Sequence, residues 1–159
     1  METGNIIIGI VSFLAVISPF IIMYQKSKKK EKELLKKLKE YAANHDFQID
    51  QWEATGNLML GLDEVNKVGF CIELIDGKFE IDHVLLNELS FCKVDREKRT
   101  VSYHNHPEKV TQSLKLYFYP KQKSDETKYF RLYDEEATKQ LNGEIELSEV
   151  WESKFRALI

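Results

Sequence analysis

Apolar and polar positions along this chain fall into three regimes. From Ile6 to Tyr24 no charged residue interrupts the run, and no polar face repeats at helical spacing. At ~1.5 Å per residue such a run spans ~28 Å as a helix, about one hydrocarbon core. From 26 to 45 the composition changes to helix formers, with Leu34, Leu35, Leu38, Tyr41 and Ala42 repeating at helical spacing. Beyond Asn44 the period shortens to two, in runs broken by turn residues.

The alternating runs predict strands near 47–54, 57–62, 68–75, 78–85, 90–96, 99–104, 112–119 and 128–133. Thr55-Gly-Asn57 and Asp76-Gly77 mark hairpin turns, and 63–67 a longer one. The tail returns to a period of 3.6, with Ile145, Leu147, Val150, Trp151, Phe155 and Leu158 on one face of a helix over 143–158. The expected fold is mainly β. About seven antiparallel strands form a meander, as a small barrel or two orthogonal sheets, with the C-terminal helix burying Trp151 at an open end.

Charge gives the chain a direction. Residues 26–40 hold eight Lys against Glu31, Glu33 and Glu40, while 41–159 carries a net charge of −7. Lysines after an apolar run, rather than before it, favour a retained span over a cleaved leader. The positive-inside rule then expects the N-terminus outside and the rest in the cytoplasm, on a bacterial inner membrane. Anchor residues in this reading include Ile6, Phe13, Pro19 and Tyr24, with a kink at Pro19. The organisation expected is an anchor over 1–25, a basic helical neck over 26–45 and a β domain over 46–159. Lys26, Lys28, Lys29 and Lys30 either contact anionic headgroups or serve as a topology signal on a solvated helix face. In a reducing cytoplasm Cys71 and Cys92 are expected as free thiols. The acidic domain is a poor match for nucleic acid, which needs a basic face.

The order of seven strands and a capping helix with a large aromatic resembles the pleckstrin-homology-like superfold over about 47–158. Three stretches are similar to those of uncharacterised single-pass membrane proteins of the Bacteroidota: Gly61-Leu-Asp-Glu-Val-Asn-Lys67, Leu89-Ser-Phe-Cys-Lys-Val94 and Leu141-Asn-Gly-Glu-Ile-Glu-Leu-Ser-Glu-Val-Trp151. The resemblance implies the fold and no assigned activity. Phosphoinositide-binding members of the superfold carry several Lys or Arg on and between their first two strands. Here 47–62 holds Asp50 and Glu53 and no basic residue.

Reactive constellations are sparse. His104 and His106 share a strand face and could approach one metal, but no motif supplies a third ligand, and Pro107 points to a turn. Asp134-Glu135-Glu136 reads as a solvated acidic loop. Nucleophile elbow, P-loop, dinucleotide and zinc-protease motifs are absent from the sequence, so neither catalysis nor a cofactor is expected. Tyr117, Tyr119, Tyr129 and Arg131 either pack across strands or form a candidate protein interface. The partners expected are the lipid bilayer and a membrane or cytoplasmic protein. The function expected is that of a membrane-anchored, non-catalytic interaction module, with a sensor of anionic lipid as the alternative.

Overall fold

A computed structural model describes residues 2–103, 106–122, 126–137 and 140–159, the side chains of 2–11, 103 and 106 excepted. The chain divides into two compact units, 1–33 and 34–159. Helix α1 (Glu2–Ala43) begins in the first and ends in the second. In the first unit Pro19 lies inside the helix, and the Ser18 hydroxyl donates to the Ala15 carbonyl at 3.2 Å. Phe13, Leu14, Val16 and 20–24 are exposed. Among the described residues, no helix is long and apolar enough to cross a membrane.

The second unit holds two antiparallel meanders. Sheet 1 is β1 (Gln51–Thr55), β2 (Leu58–Asp63), β3 (Val68–Ile75) and β4 (Lys78–Leu85), paired in that order. A 3₁₀ turn, Leu86–Glu88, leads to sheet 2: β5 (Leu89–Tyr103), β6 (His106–Pro120) and β7 (Lys128–Asp134). Helix α2 (Glu144–Arg156) follows. The run at 90–96 and the described part of that at 99–104 are one strand, β5, passing through an irregularity between Glu97 and Lys98. The first expected strand starts only at Gln51. Phe47 and Ile49 lie in the preceding strap, which the Gln48 and Asp50 amides fasten to the far end of β2.

A closed barrel does not form. β4 and β7 each end their sheet unpaired with one another, and charged side chains occupy the gap between them. The inner faces instead pack on each other around Leu58, Leu60, Leu62, Cys71, Val84, Cys92, Leu114, Leu116, Phe118, Phe130 and Leu132. From α2, Trp151 and Phe155 enter this core fully buried, edge to face with centroids 5.4 Å apart. The Trp151 indole N–H donates to a Glu53 carboxylate oxygen on β1 at 3.0 Å, so the ring is packed on one side and satisfied at its polar edge. α2 also closes the free edge of β5. Glu152 accepts from the Val94 amide at 3.2 Å, and Arg156 donates to the Cys92 carbonyl at 2.9 Å.

A second core lies on the outer face of sheet 1. Leu34, Leu38 and Ala42 of α1 are buried against Met59, Val68, Phe70 and Ile72. The helical stripe therefore finds its partner in the sheet, and β2 is buried on both faces. This explains why Leu58-Met-Leu-Gly-Leu62 reads as a continuous apolar run rather than an alternation. Two glycines set the spacing. A Cβ on Gly61 would stand 2.9 Å from Leu38 Cδ2, and one on Gly69 would stand 3.0 Å from the Phe155 ring. Each strand gives up a side chain so that a helix can approach.

Asp63 ends β2 and organises the turn that follows. It is buried, and its carboxylate accepts from the Gln48 amide, the Asn66 amide and the Asn66 side chain at 2.7–2.8 Å. Burial pushes the carboxyl up, but these hydrogen bonds outweigh it and hold it below the usual carboxylate range.

Two predictions follow from this packing, both read from urea unfolding of the full chain. Leu38→Ala costs about 2–5 kcal/mol, and Gly61→Val about 1–3 kcal/mol. Because both changes act at one contact, the double variant loses measurably less than the sum of the two, and strict additivity would separate the residues. Asp63→Ala removes the acceptor of the Gln48 and Asn66 amides and costs about 1–3 kcal/mol at pH 7. A carboxyl with a depressed folded pKa stabilises above its unfolded pKa of about 3.9, and the contribution fades as pH falls through the folded value. The difference between wild type and variant therefore shrinks below about pH 4. A pH-independent difference would rule out this role.

Candidate functional site

Among the described residues of the second unit, no helix packs on the outer face of sheet 2. Strand register places Phe91 opposite Tyr119 and Tyr117 opposite Tyr129. Phe91 and Tyr119 stack with centroids 4.2 Å apart and planes 10° from parallel. Tyr117 lies 6.4 Å from Tyr119 and 5.5 Å from Tyr129. The four rings form a row across all three strands, with Phe91 46% and Tyr129 49% exposed. Lys115 Nζ stands 5.6 Å from the Tyr129 centroid, a cation over a ring face. A row of rigid rings with basic neighbours offers large contact area at low cost in side-chain entropy, as recurs at protein interfaces.

Tyr133, two residues on from Arg131, does not join this face. A register shift between Leu114 and Lys115 turns it inward, and it is buried in the inter-sheet core.

Around the edge of the aromatic row lies an open cleft of about 660 Å³ between β4 and β7. Its lining includes Cys71, Glu73, Glu80, Asp82, Lys128 and Arg131. Arg131 Nε donates to Glu73 at 3.1 Å, and a terminal nitrogen donates to Glu80 at 2.7 Å. Glu73 is buried. Its carboxyl is pushed up by that burial, with Arg131 pulling it part of the way back. Burial likewise pushes the Cys71 thiol well above its ordinary value, leaving it a poor nucleophile at neutral pH.

His83 links the cleft to the outer core. Its Nδ1 hydrogen-bonds the Tyr41 hydroxyl at 2.9 Å, and its ring lies 5.4 Å from that of His45 and 6.1 Å from that of Phe70. Burial holds the imidazole below its ordinary range, the neighbouring His45 and Lys128 add to this, and Asp82 opposes it.

The sequence-predicted residues separate accordingly. Tyr117, Tyr119, Tyr129 and Arg131 come together, Arg131 at the junction of face and cleft. Phe13, Pro19 and Tyr24 are exposed on α1, as are Lys26, Lys28 and Lys29, with Lys28 paired to Glu31 at 2.8 Å and Lys30 half-buried. The Ile6 side chain lies outside the described residues, as do His104 and the side chain of His106. Glu135 of the acidic loop is paired to Arg99, whose guanidinium lowers its carboxyl, and Asp134 accepts from the Glu136 amide. Cys71 and Cys92 are free and buried. Among the described residues, no three His, Cys, Asp or Glu side chains are placed to hold a metal.

Sequence reasoning missed Phe91, which the alternation that turns Cys92 and Val94 inward places on the opposite face, and the acids of the cleft. The one available sign was Glu73, a lone charge inside the apolar run 68–75. Comparison of the chain with protein-family models, curated proteins and solved structures gives no match.

His83 generates a pH prediction. With its folded pKa below the unfolded value of about 6.5, the unfolded chain binds more protons as pH falls. Stability should therefore drop between pH 7.5 and 5.5, and His83→Gln should remove a measurable part of that drop. Equal slopes for the two proteins in urea unfolding would show that His83 is not responsible.

Proposed function

We propose that this chain is a membrane-anchored, non-catalytic cytoplasmic interaction module that docks a membrane or cytoplasmic protein on the outer face of sheet 2. The observation that carries the reading is the asymmetry of the two sheets. The outer face of sheet 1 is covered by Leu34, Leu38 and Ala42, while that of sheet 2 carries the row Phe91, Tyr119, Tyr117 and Tyr129, exposed at Phe91 and Tyr129 and half-buried between them. An exposed aromatic row of this kind marks a binding surface more often than a bare exterior. The order of four strands, three strands and a helix supports a pleckstrin-homology-like assignment of the β domain. The anchor is the charge-free run 6–24, and the exposed apolar side chains from Phe13 to Tyr24 support it. Tethering raises local concentration, so a modest interface suffices.

Exposed Lys26, Lys28 and Lys29 favour a second reading, in which the neck senses anionic lipid.

The test is cross-linked co-purification from native membranes, comparing the full chain with a Tyr117→Ser/Tyr129→Ser variant of unchanged unfolding midpoint. The expected result is a stoichiometric protein partner that falls at least tenfold with the variant, from a chain that resists alkaline extraction. Recovery of phospholipid alone would transfer the function to the lysines. A partner held equally by both proteins would remove the aromatic face, and full release by alkali would remove the anchor.

A further inference from the structure

We propose that the cleft between β4 and β7 accepts an extended peptide segment carrying a Lys or Arg, which adds as a strand between the two open sheet edges. Four observations point there. First, β4 and β7 are the terminal strands of their sheets. Among the described residues no strand pairs with either on this side, whereas the β5 edge is already taken by Glu152 and Arg156. Second, the cleft is lined by four consecutive residues on each strand, Glu80 to His83 and Lys128 to Arg131. Side chains in a strand alternate between faces, so a consecutive lining means that the cleft meets the strand edges and their backbone.

Third, the size fits. A residue within a sheet takes up about 3.4 Å along the strand, 4.8 Å between strands and 10 Å between layers, or ~160 Å³. The ~660 Å³ of the open cleft leaves room for a short extended segment of about four residues. Arg131 reaches Glu80 at one end while Lys128 lies beside His83 at the other, so the edges run antiparallel. An incoming strand pairs antiparallel with one and parallel with the other, as in mixed sheets.

Fourth, charge selects the occupant. Glu73, Glu80 and Asp82 face Lys128 and Arg131, and Arg131 is already committed to Glu73 and Glu80. Among the described residues Asp82 has no ion pair, and a basic side chain on the incoming strand would meet it across the new pairing. Direct strand pairing supplies affinity through the main chain, and the flanking charges supply selection.

The experiment uses the ¹⁵N-labelled full chain and a pool of capped heptapeptides. Each has Lys at the centre and Val, Ile, Thr or Tyr on either side. Binding is expected to shift and protect the amides of 80–83 and 128–131. N-methylation at alternate peptide residues should weaken binding at least tenfold, as should replacing Lys by Glu, and Asp82→Asn should narrow the Lys-to-Glu difference severalfold. Equal binding of the N-methylated pool would make the cleft a side-chain pocket and overturn strand addition. No change at millimolar peptide would overturn it as well. Shifts confined to Phe91, Tyr117 and Tyr119 would also overturn it, while leaving the aromatic docking face intact.

Discussion

Burial of sheet 1 on both faces is the constraint from which the rest of the domain follows. A four-stranded meander with Leu58, Leu60 and Leu62 on one side and Met59, Phe70 and Ile72 on the other needs two apolar partners. Sheet 2 with α2 supplies one, and the end of α1 supplies the other. Both approaches depend on backbone left bare by glycine, Gly61 under Leu38 and Gly69 under Phe155. Among the described residues of the second unit, none covers the outer face of sheet 2 and no strand joins β4 to β7.

The uncovered surfaces are not alike. The face of sheet 2 is apolar and aromatic with basic neighbours, suited to a broad protein contact. The cleft is open, charged on both walls and bounded by backbone edges, suited to an extended segment. Arg131 belongs to both, since its guanidinium crosses to Glu73 and Glu80 while its strand carries Tyr129 on the outer face. Edges of this kind invite unwanted pairing, and the charges along Glu80, Asp82 and Lys128 restrict what can add there.

Much of the fold was legible because local signals were strong. Asp76-Gly77, both at positive φ, closes the hairpin between β3 and β4, and the bounds of those strands match the alternation read from the chain. The apolar stripe over 143–158 is α2, and Trp151 is buried as its pattern implied. The interface residues were half legible. Tyr117, Tyr119 and Tyr129 were visible as aromatics, but Tyr133, which simple alternation puts on the face of Tyr129, is buried. An extra residue in β7, Leu132, opposite the Leu114–Lys115 step of β6 shifts parity, and a bulge leaves no mark in composition.

By itself the sequence determined the elements, their order and the charge division between neck and domain. These depend on neighbours a few positions away, through period, turn chemistry and capping. Only the tertiary structure decided that the stripe Leu34, Leu38 and Ala42 packs on a sheet rather than facing solvent, because that sheet's outer face is assembled from β2 and β3. It also decided that Glu73, Glu80 and Arg131 meet, and that β4 and β7 stay apart. Those contacts join residues some fifty positions distant, and no local pattern in the chain encodes which edges of two sheets will face each other.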